Sequence, residues 1–135
     1  MKRVVLPVLF IFLAVLTFGQ DLKKANNYLN DKKLDKAKTE IEGALAKDPA
    51  NTEALYLKSK LYSLMAANDQ LKSQLPADHY AQAFEAFKQA MKDSTNPKIT
   101  LMVVKDNYAP IFDVYSGYYG EAANAFNDAA AKGDT

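Results

Sequence analysis

Few residues of this sequence are suited to acid–base or metal chemistry. His79 is the only histidine, and it follows Asp78 at the expected start of a helix, where aspartate commonly caps the first turn. The chain has no cysteine, and Asp106 and Asp113 are seven residues apart, a spacing that is common on any solvated helix face. We therefore interpret His79 as an isolated surface histidine. We predict that the protein is not an enzyme and that it has no catalytic residue, metal site or cofactor.

A second candidate for chemistry is a stripe of aromatic residues near the C-terminus: Tyr108, Phe112, Tyr115, Tyr118 and Tyr119. Surfaces that stack the bases of single-stranded nucleic acid place basic residues between their aromatics, but none lies between residues 107 and 127. The 17 basic and 16 acidic residues of the chain also nearly balance, so we predict no nucleic-acid partner. We expect the stripe to pack in the core; the alternative is a partner groove that uses exposed tyrosines.

The N-terminus has the organisation of an export signal. Lys2 and Arg3 precede an apolar run from Val4 to Phe18, and Gly19 provides a small residue at a plausible cleavage site. The run has about 15 residues, fewer than the roughly 20 that span a bilayer as a helix. We interpret residues 1–19 as a cleaved signal peptide; the alternatives are a retained anchor and a buried first helix. The mature protein is then exported, periplasmic or associated with the cell envelope, without a stable membrane span.

The rest of the chain, residues 20–135, has the composition of an all-α protein and contains an internal repeat. Each copy begins with an aromatic residue or leucine, and alanine follows three residues after it. A large apolar residue comes four residues after that alanine, and a second alanine comes three residues after the apolar residue. Such positions share one helix face, and their alanines let a neighbouring helix approach closely. We expect this face to point inward in all three copies, which are Leu34, Ala37, Ile41 and Ala44; Tyr80, Ala83, Phe87 and Ala90; and Tyr119, Ala122, Phe126 and Ala129.

The first copy extends in both directions into a known pattern, in which a small residue and a tyrosine come first and a proline follows. The matching residues are Ala25, Tyr28, Ala37, Ile41, Ala44 and Pro49. This segment resembles the tetratricopeptide repeat (TPR) family, although Lys24 stands where that family usually has leucine. The resemblance covers nearly all of residues 20–132. It implies about three antiparallel helix pairs, over residues 20–51, 52–96 and 97–132, stacked as a right-handed superhelical solenoid.

The second and third repeats are longer than the first. Twelve extra residues between Tyr62 and Ala83 predict a lengthened first helix and a longer loop, either as a tolerated insertion or as a docking arm. In the third repeat, Pro110 is expected to kink or restart a long helix. Gly117 and Gly120 are expected to mark the turn into the last helix.

The resemblance implies a function in protein binding. We expect a non-catalytic scaffold or adaptor that binds a peptide or partner protein through the concave face of the array. By resemblance, the partner-binding residues on that face are Leu22, Asn26, Leu29, Tyr56, Lys60 and Ser63. The alternative is a structural subunit that self-associates within an envelope assembly.

No capping helix is recognisable after the last repeat copy. We therefore expect the chain to be the N-terminal part of a longer array. The alternative is a short protein, a homo-oligomer, whose open end is covered by self-association.

The signal-peptide interpretation predicts the first residue of the exported protein. N-terminal sequencing and intact mass of protein recovered after export should show cleavage after Gly19, so that the chain starts at Gln20. An exported protein that still starts at Met1 would contradict the interpretation.

Overall fold

The structure is a computed structural model, and it describes residues 22–92 and 95–133. The predicted signal peptide lies outside the described residues. Within them the chain forms seven helices and no strand, which confirms the all-α prediction. The helices are α1 (Leu22–Asn30), α2 (Leu34–Lys47), α3 (Thr52–Ala66), α4 (Asp69–Lys72), α5 (His79–Ala90), α6 (Pro97–Lys105) and α7 (Ala109–Ala131).

Asparagine side chains fix the starts of three helices. Asn51 Oδ1 accepts a hydrogen bond from the backbone N–H of Ala54 at the start of α3. Asn68 and Asn96 cap α4 and α6 in the same way. The first N–H groups of a helix have no partner within it, so each of these asparagines replaces a bond that would otherwise go to water.

The first two helices form a tight hairpin. Lys32 lies between them in the left-handed region, with φ of 60°, which is uncommon for a residue with a side chain. Ala25 and Leu29 of α1 are buried, and so are Ala37 and Ile41 of α2. The alanines of the first repeat copy therefore face the interior of the hairpin.

Helix α3 is the centre of the molecule. It packs against each of the other six described helices. Its buried residues extend around most of its circumference and include the polar residues Ser59, Lys60 and Ser63. A helix that is enclosed on most sides cannot direct its polar side chains to water, so they must be satisfied by neighbouring helices.

Most of the twelve extra residues lie after the first helix of the second repeat. Helix α3 has 15 residues, compared with nine in α1, the first helix of the first repeat, and it ends at Ala66. The first helix is thus longer, but the residues from Asn68 onward lie outside it, because Asn68 caps a separate short helix, α4. Leu71 and Leu75 then pack partly buried against the core, which anchors the segment that leads to α5.

The last part of the chain follows the sequence prediction at Pro110 but departs from it at the glycines. Asn107 and Tyr108 have φ of 56° and 60°, which ends α6, and Pro110 lies in the first turn of α7. The expectation of a turn at Gly117 and Gly120 is wrong, because α7 continues through both. A single glycine costs a helix only about 1 kcal/mol, which packing can offset. Helix α7 packs on α3 and α5.

The close packing of α5 yields a prediction. Ala83 is fully buried, so Ala83→Leu should overpack the contact of α5 with its neighbours and lower the free energy of unfolding by about 1 to 3 kcal/mol. Ala123 is exposed on α7, and Ala123→Leu should change it by less than about 0.5 kcal/mol. Urea denaturation of both variants measures the difference, and equal stabilities would contradict the predicted packing.

Candidate protein-binding surface

A polar cluster lies where the family resemblance places a concave groove. Lys60 Nζ on α3 is 2.9 Å from Asp106 Oδ1, 3.1 Å from Asn30 Oδ1 and 3.4 Å from Asn26 Oδ1. The two asparagines belong to α1, and Asp106 comes directly after the last residue of α6. The cluster thus links α1 and the end of α6 through one charged side chain of the central helix.

The same carboxylate also binds Tyr56. The Tyr56 hydroxyl donates a hydrogen bond of 2.7 Å to Asp106 Oδ2, and Tyr56 itself has no exposed surface. Burial raises the pKa of Tyr56 far above its usual value of 10.0, and the hydrogen bond to Asp106 and the negative charge of that carboxylate raise it further. One helical turn after Lys60, Ser63 Oγ donates to Asp113 Oδ2 at 2.9 Å, which joins α3 to α7.

The residues predicted to bind a partner are divided between the interior and the surface. Leu29 and Tyr56 are 0% exposed and Lys60 and Ser63 are buried, whereas Leu22 and Asn26 are partly exposed. The sequence analysis placed all six in an open groove, and the structure corrects this for Leu29, Tyr56, Lys60 and Ser63. Their side chains pack in the core or hydrogen-bond to Asp106 and Asp113, so in this conformation none of the four is free to contact a partner.

The residues of the repeat pattern differ in the same way. Those that are buried are Ala25, Ala37, Ile41, Ala44, Ala83 and Ala90; those that are partly buried are Tyr28, Tyr80, Phe87 and Ala129; and those that are exposed are Pro49, Tyr119, Ala122 and Phe126. The first two copies face the core. The third copy does not, since no described helix packs against that side of α7.

The aromatic stripe of α7 is also exposed, so the expectation that it packs in the core is wrong. Tyr108, Phe112, Tyr115 and Tyr119 are 49, 65, 58 and 59% exposed, and Phe126 further along is 68% exposed. Helix α7 instead directs Pro110 and Val114 inward, on nearly the opposite face. We name the exposed row Tyr108, Phe112, Tyr115, Tyr119, Ala122, Phe126 and Ala129 the α7 seam.

Beside the seam lies an apolar cavity of about 370 Å³ between α5 and α7. It is lined by Tyr80, Ala81, Phe84, Glu85, Val114, Tyr115, Tyr118 and Tyr119. Only Glu85 among them carries a charge at neutral pH, and Phe84 is 48% exposed. We name this cavity the α5/α7 groove.

Helices α5 and α7 are in close contact at Tyr80, which also lines the α5/α7 groove. A Cβ atom added at Gly117 of α7 would overlap the ring of Tyr80 of α5, whereas one at Gly120 would meet open space. The first glycine therefore permits the approach of Tyr80, a packing role in place of the turn that the sequence suggested.

His79 is not the surface residue that the sequence suggested, because it is only 4% exposed. Its Nδ1 lies 2.9 Å from the carbonyl oxygen of Pro76, and its Nε2 is 3.8 Å from Glu121 Oε1, which also pairs with Lys72. The segment after α4 carries Pro76 against the imidazole and so shields it from solvent. Among residues 22–92 and 95–133, no group of three His, Cys, Asp or Glu side chains is arranged to hold a metal ion.

The comparisons with known proteins give no family. Neither a protein-family model, nor a curated protein, nor a solved structure matches this chain. None of the helices that the structure describes is both long enough and apolar enough to cross a membrane. The function is therefore inferred from the residues and contacts of the chain itself.

The sequence interpretation gave a partner groove with exposed tyrosines only as the alternative for the aromatic stripe, and it did not identify Phe84 of α5 as part of the groove. The aromatics of α7 repeat at intervals of four and three residues, and none of the seven positions is charged. That spacing is typical of the contact line between two helices, as well as of a core face. Phe84 had no distinguishing signal, because its partners Tyr115 and Tyr118 are more than 30 residues away along the chain.

The contact between Tyr56 and Asp106 predicts a pH dependence. The folded state holds the phenol proton more tightly than the unfolded chain, so this stabilisation is complete below pH 10 and is lost as the pH rises above 10. Tyr56→Phe should be less stable than wild type by about 1 kcal/mol at pH 8. That difference should shrink by about 1 kcal/mol at pH 11.

The exposed Tyr118 provides a matched control for this prediction. Tyr118→Phe should follow the wild-type stability profile from pH 8 to 11 in urea denaturation. If the profiles of Tyr56→Phe and wild type run parallel over this range, the phenol does not retain its proton in the folded state.

Proposed function

We propose that this protein is a non-catalytic, TPR-like scaffold that acts outside the cytoplasm and binds a peptide or partner protein. The binding surface is the α5/α7 groove with the adjoining seam, in place of the concave face. The proposal rests on a cluster of large apolar side chains on this side of the molecule. Its members are Phe84, Tyr115, Tyr118 and Tyr119, and each is about half exposed or more. Contiguous apolar patches on soluble proteins commonly mark interaction sites.

The chemistry of the groove suits a protein ligand. Aromatic residues, tyrosine above all, are enriched in the centres of protein interfaces because they offer a large rigid apolar area with a polar tip. Tyr80, Tyr115 and Tyr118 present hydroxyl groups around an otherwise apolar cavity. The cavity of about 370 Å³ has room for a leucine or phenylalanine side chain, and the hydroxyls could bond the backbone beside it.

The polar cluster supports a structural role in preference to a catalytic one. An ammonium group has three N–H donors, and Lys60 has three acceptors within 3.4 Å. Asp106 in turn accepts hydrogen bonds at both of its oxygens. These groups use their hydrogen bonds to join helices, which leaves the lysine no donor for a substrate.

The TPR-like arrangement is part of the proposal. It is supported by the buried alanines of the first two repeat copies, on α2 and α5, and by the close packing of α1 with α2 and of α3 with α5. In that arrangement α7 takes the place of the first helix of the third repeat. It packs on both helices of the preceding pair, α3 and α5. The seam then lies where a following helix would pack.

Capture with matched variants tests the proposed function. Phe84→Ser removes a groove side chain, and an envelope extract passed over this variant should yield at least about tenfold less of the proteins that wild type retains, since central aromatic contacts commonly contribute 2 kcal/mol or more. Leu101→Ser removes an equally exposed apolar side chain from α6, away from the groove, and should retain what wild type retains. Identical retention by Phe84→Ser and wild type would contradict a binding role for the groove.

A further inference from the structure

We propose that the α7 seam binds the same seam of a second copy of this chain, in antiparallel orientation, to form a two-fold symmetric dimer. This inference rests on the proposed function in one respect, namely that the aromatic side of the molecule is a protein interface. It adds the identity of one occupant, and it assigns the seam and the groove to different contacts.

The spacing of the seam fits a contact between two helices. Its six residues within α7, from Phe112 to Ala129, come at intervals of three, four, three, four and three, close to the 3.5-residue spacing of a coiled-coil repeat. The three acidic residues of α7 lie off this line: Asp113 bonds to Ser63, Glu121 pairs with Lys72, and Asp128 is nearly half a turn from the seam. A second copy would therefore meet an uncharged strip with no like charges facing across it.

The order of large and small residues selects the antiparallel orientation. The N-terminal half of the seam has only aromatics, whereas two of the three residues in the C-terminal half are alanines. In a parallel pair each residue would face its own copy, so aromatics would crowd one end and alanines would leave a gap at the other. In an antiparallel pair Phe112 faces Ala129 of the second copy and Tyr119 faces Ala122. Such layers have similar widths.

The remaining layer in this register, Tyr115 opposite Phe126 of the second copy, contains two aromatics and is wider than the other two. By symmetry each of these three layers occurs twice in the pair. In every layer the two residue numbers add to 241, which places the two-fold axis between Gly120 and Glu121. Gly120 is about 100° around the helix from Tyr119, so it lies off the seam and takes no part in the contact.

The area available is sufficient for a stable dimer. An aromatic side chain can bury about 150 to 250 Å², and Phe112, Tyr115, Tyr119 and Phe126 are each 58 to 68% exposed. Four such residues on each of two chains would remove about 1,000 Å² from solvent, before Tyr108 and the alanines are counted, which reaches the lower range of specific interfaces. A partner would also support the second half of α7, where every residue from Glu121 to Ala131 except Ala129 is exposed.

Seam and groove can be distinguished by mutation. Phe112 and Phe126 belong to the seam and do not line the groove, and Phe84 lines the groove without belonging to the seam. All three are about half exposed or more, so their replacement leaves the core of the monomer intact. Phe126→Asp is therefore the test variant and Phe84→Ser the matched control.

Sedimentation equilibrium of the purified exported protein, over about 1 to 100 μM, tests the dimer. Wild type and Phe84→Ser should both dimerise, and Phe126→Asp should have a dissociation constant at least about 30-fold higher, as expected for loss of a central aromatic contact. A wild type that is monomeric at every concentration overturns the inference, and so does a dimer that Phe126→Asp leaves unchanged.

Engineered cysteines test the orientation, because the natural chain has none. A mixture of Phe112→Cys and Ala129→Cys chains should form a mixed disulfide on oxidation, whereas Ala129→Cys alone should form none. In an antiparallel pair two copies of residue 129 are about 25 Å apart along the axis. Disulfide formation by Ala129→Cys alone, without the mixed product, would show a parallel pair and overturn the proposed geometry.

These experiments can support one of the two proposals while contradicting the other. A monomeric wild type whose capture of proteins depends on Phe84 overturns the dimer and supports the scaffold function. A dimer that is lost in Phe126→Asp, together with no Phe84-dependent capture, supports the seam and contradicts the partner-binding role of the groove.

Discussion

The buried charge of Lys60 is the constraint on which the arrangement of the helices depends. An ammonium group held inside a protein without partners costs several kcal/mol, and its attraction to a carboxylate offsets that cost only when the geometry is good. Lys60 lies on the central helix and is only 8% exposed, so its partners must come from the helices around it. They come from α1 through Asn26 and Asn30, and from the end of α6 through Asp106.

The position of Asp106 determines the path of the chain after α6. Its two oxygens bind Lys60 and Tyr56, which holds the end of α6 against α3. The next two residues, Asn107 and Tyr108, adopt the left-handed conformation at a cost of roughly 1 to 2 kcal/mol each, and α7 then starts in a new direction with Pro110 in its first turn. Since α7 packs through Pro110 and Val114, its aromatic face is directed outward. The exposed aromatic face is thus a consequence of how the interior charge is satisfied.

The two surfaces of the α5/α7 side have different chemical characters. The groove is a concave apolar site beside the contact of Tyr80 with Gly117, and it has room for large apolar side chains. The seam is a line of uncharged residues along a 23-residue helix, and it suits another helix. Tyr115 and Tyr119 belong to both, so occupation of one surface would affect the other.

Much of the fold can be predicted from local sequence. Helix starts at Asn51 and Asn96, the restart at Pro110 and the small-large pattern of Ala37, Ile41 and Ala44 all depend on residues within a few positions of one another, so sequence reasoning can find them. The burial of His79 could not be predicted in this way, since it depends on how the residues after α4 pack. The partner of Lys60 was equally unpredictable, because Asp106 is 46 residues away and is one of many carboxylates in the chain.

The sequence by itself determined that the chain is helical and that the alanine faces of α2 and α5 are buried, because helix propensity and spacing act locally. Only the tertiary structure decided which face of α7 is covered. The same spacing of three and four residues describes a face packed in a core and a seam that is open to a second helix, and the difference depends on whether another element lies opposite. In the described residues α3 and α5 cover one side of α7, and the aromatic side remains exposed.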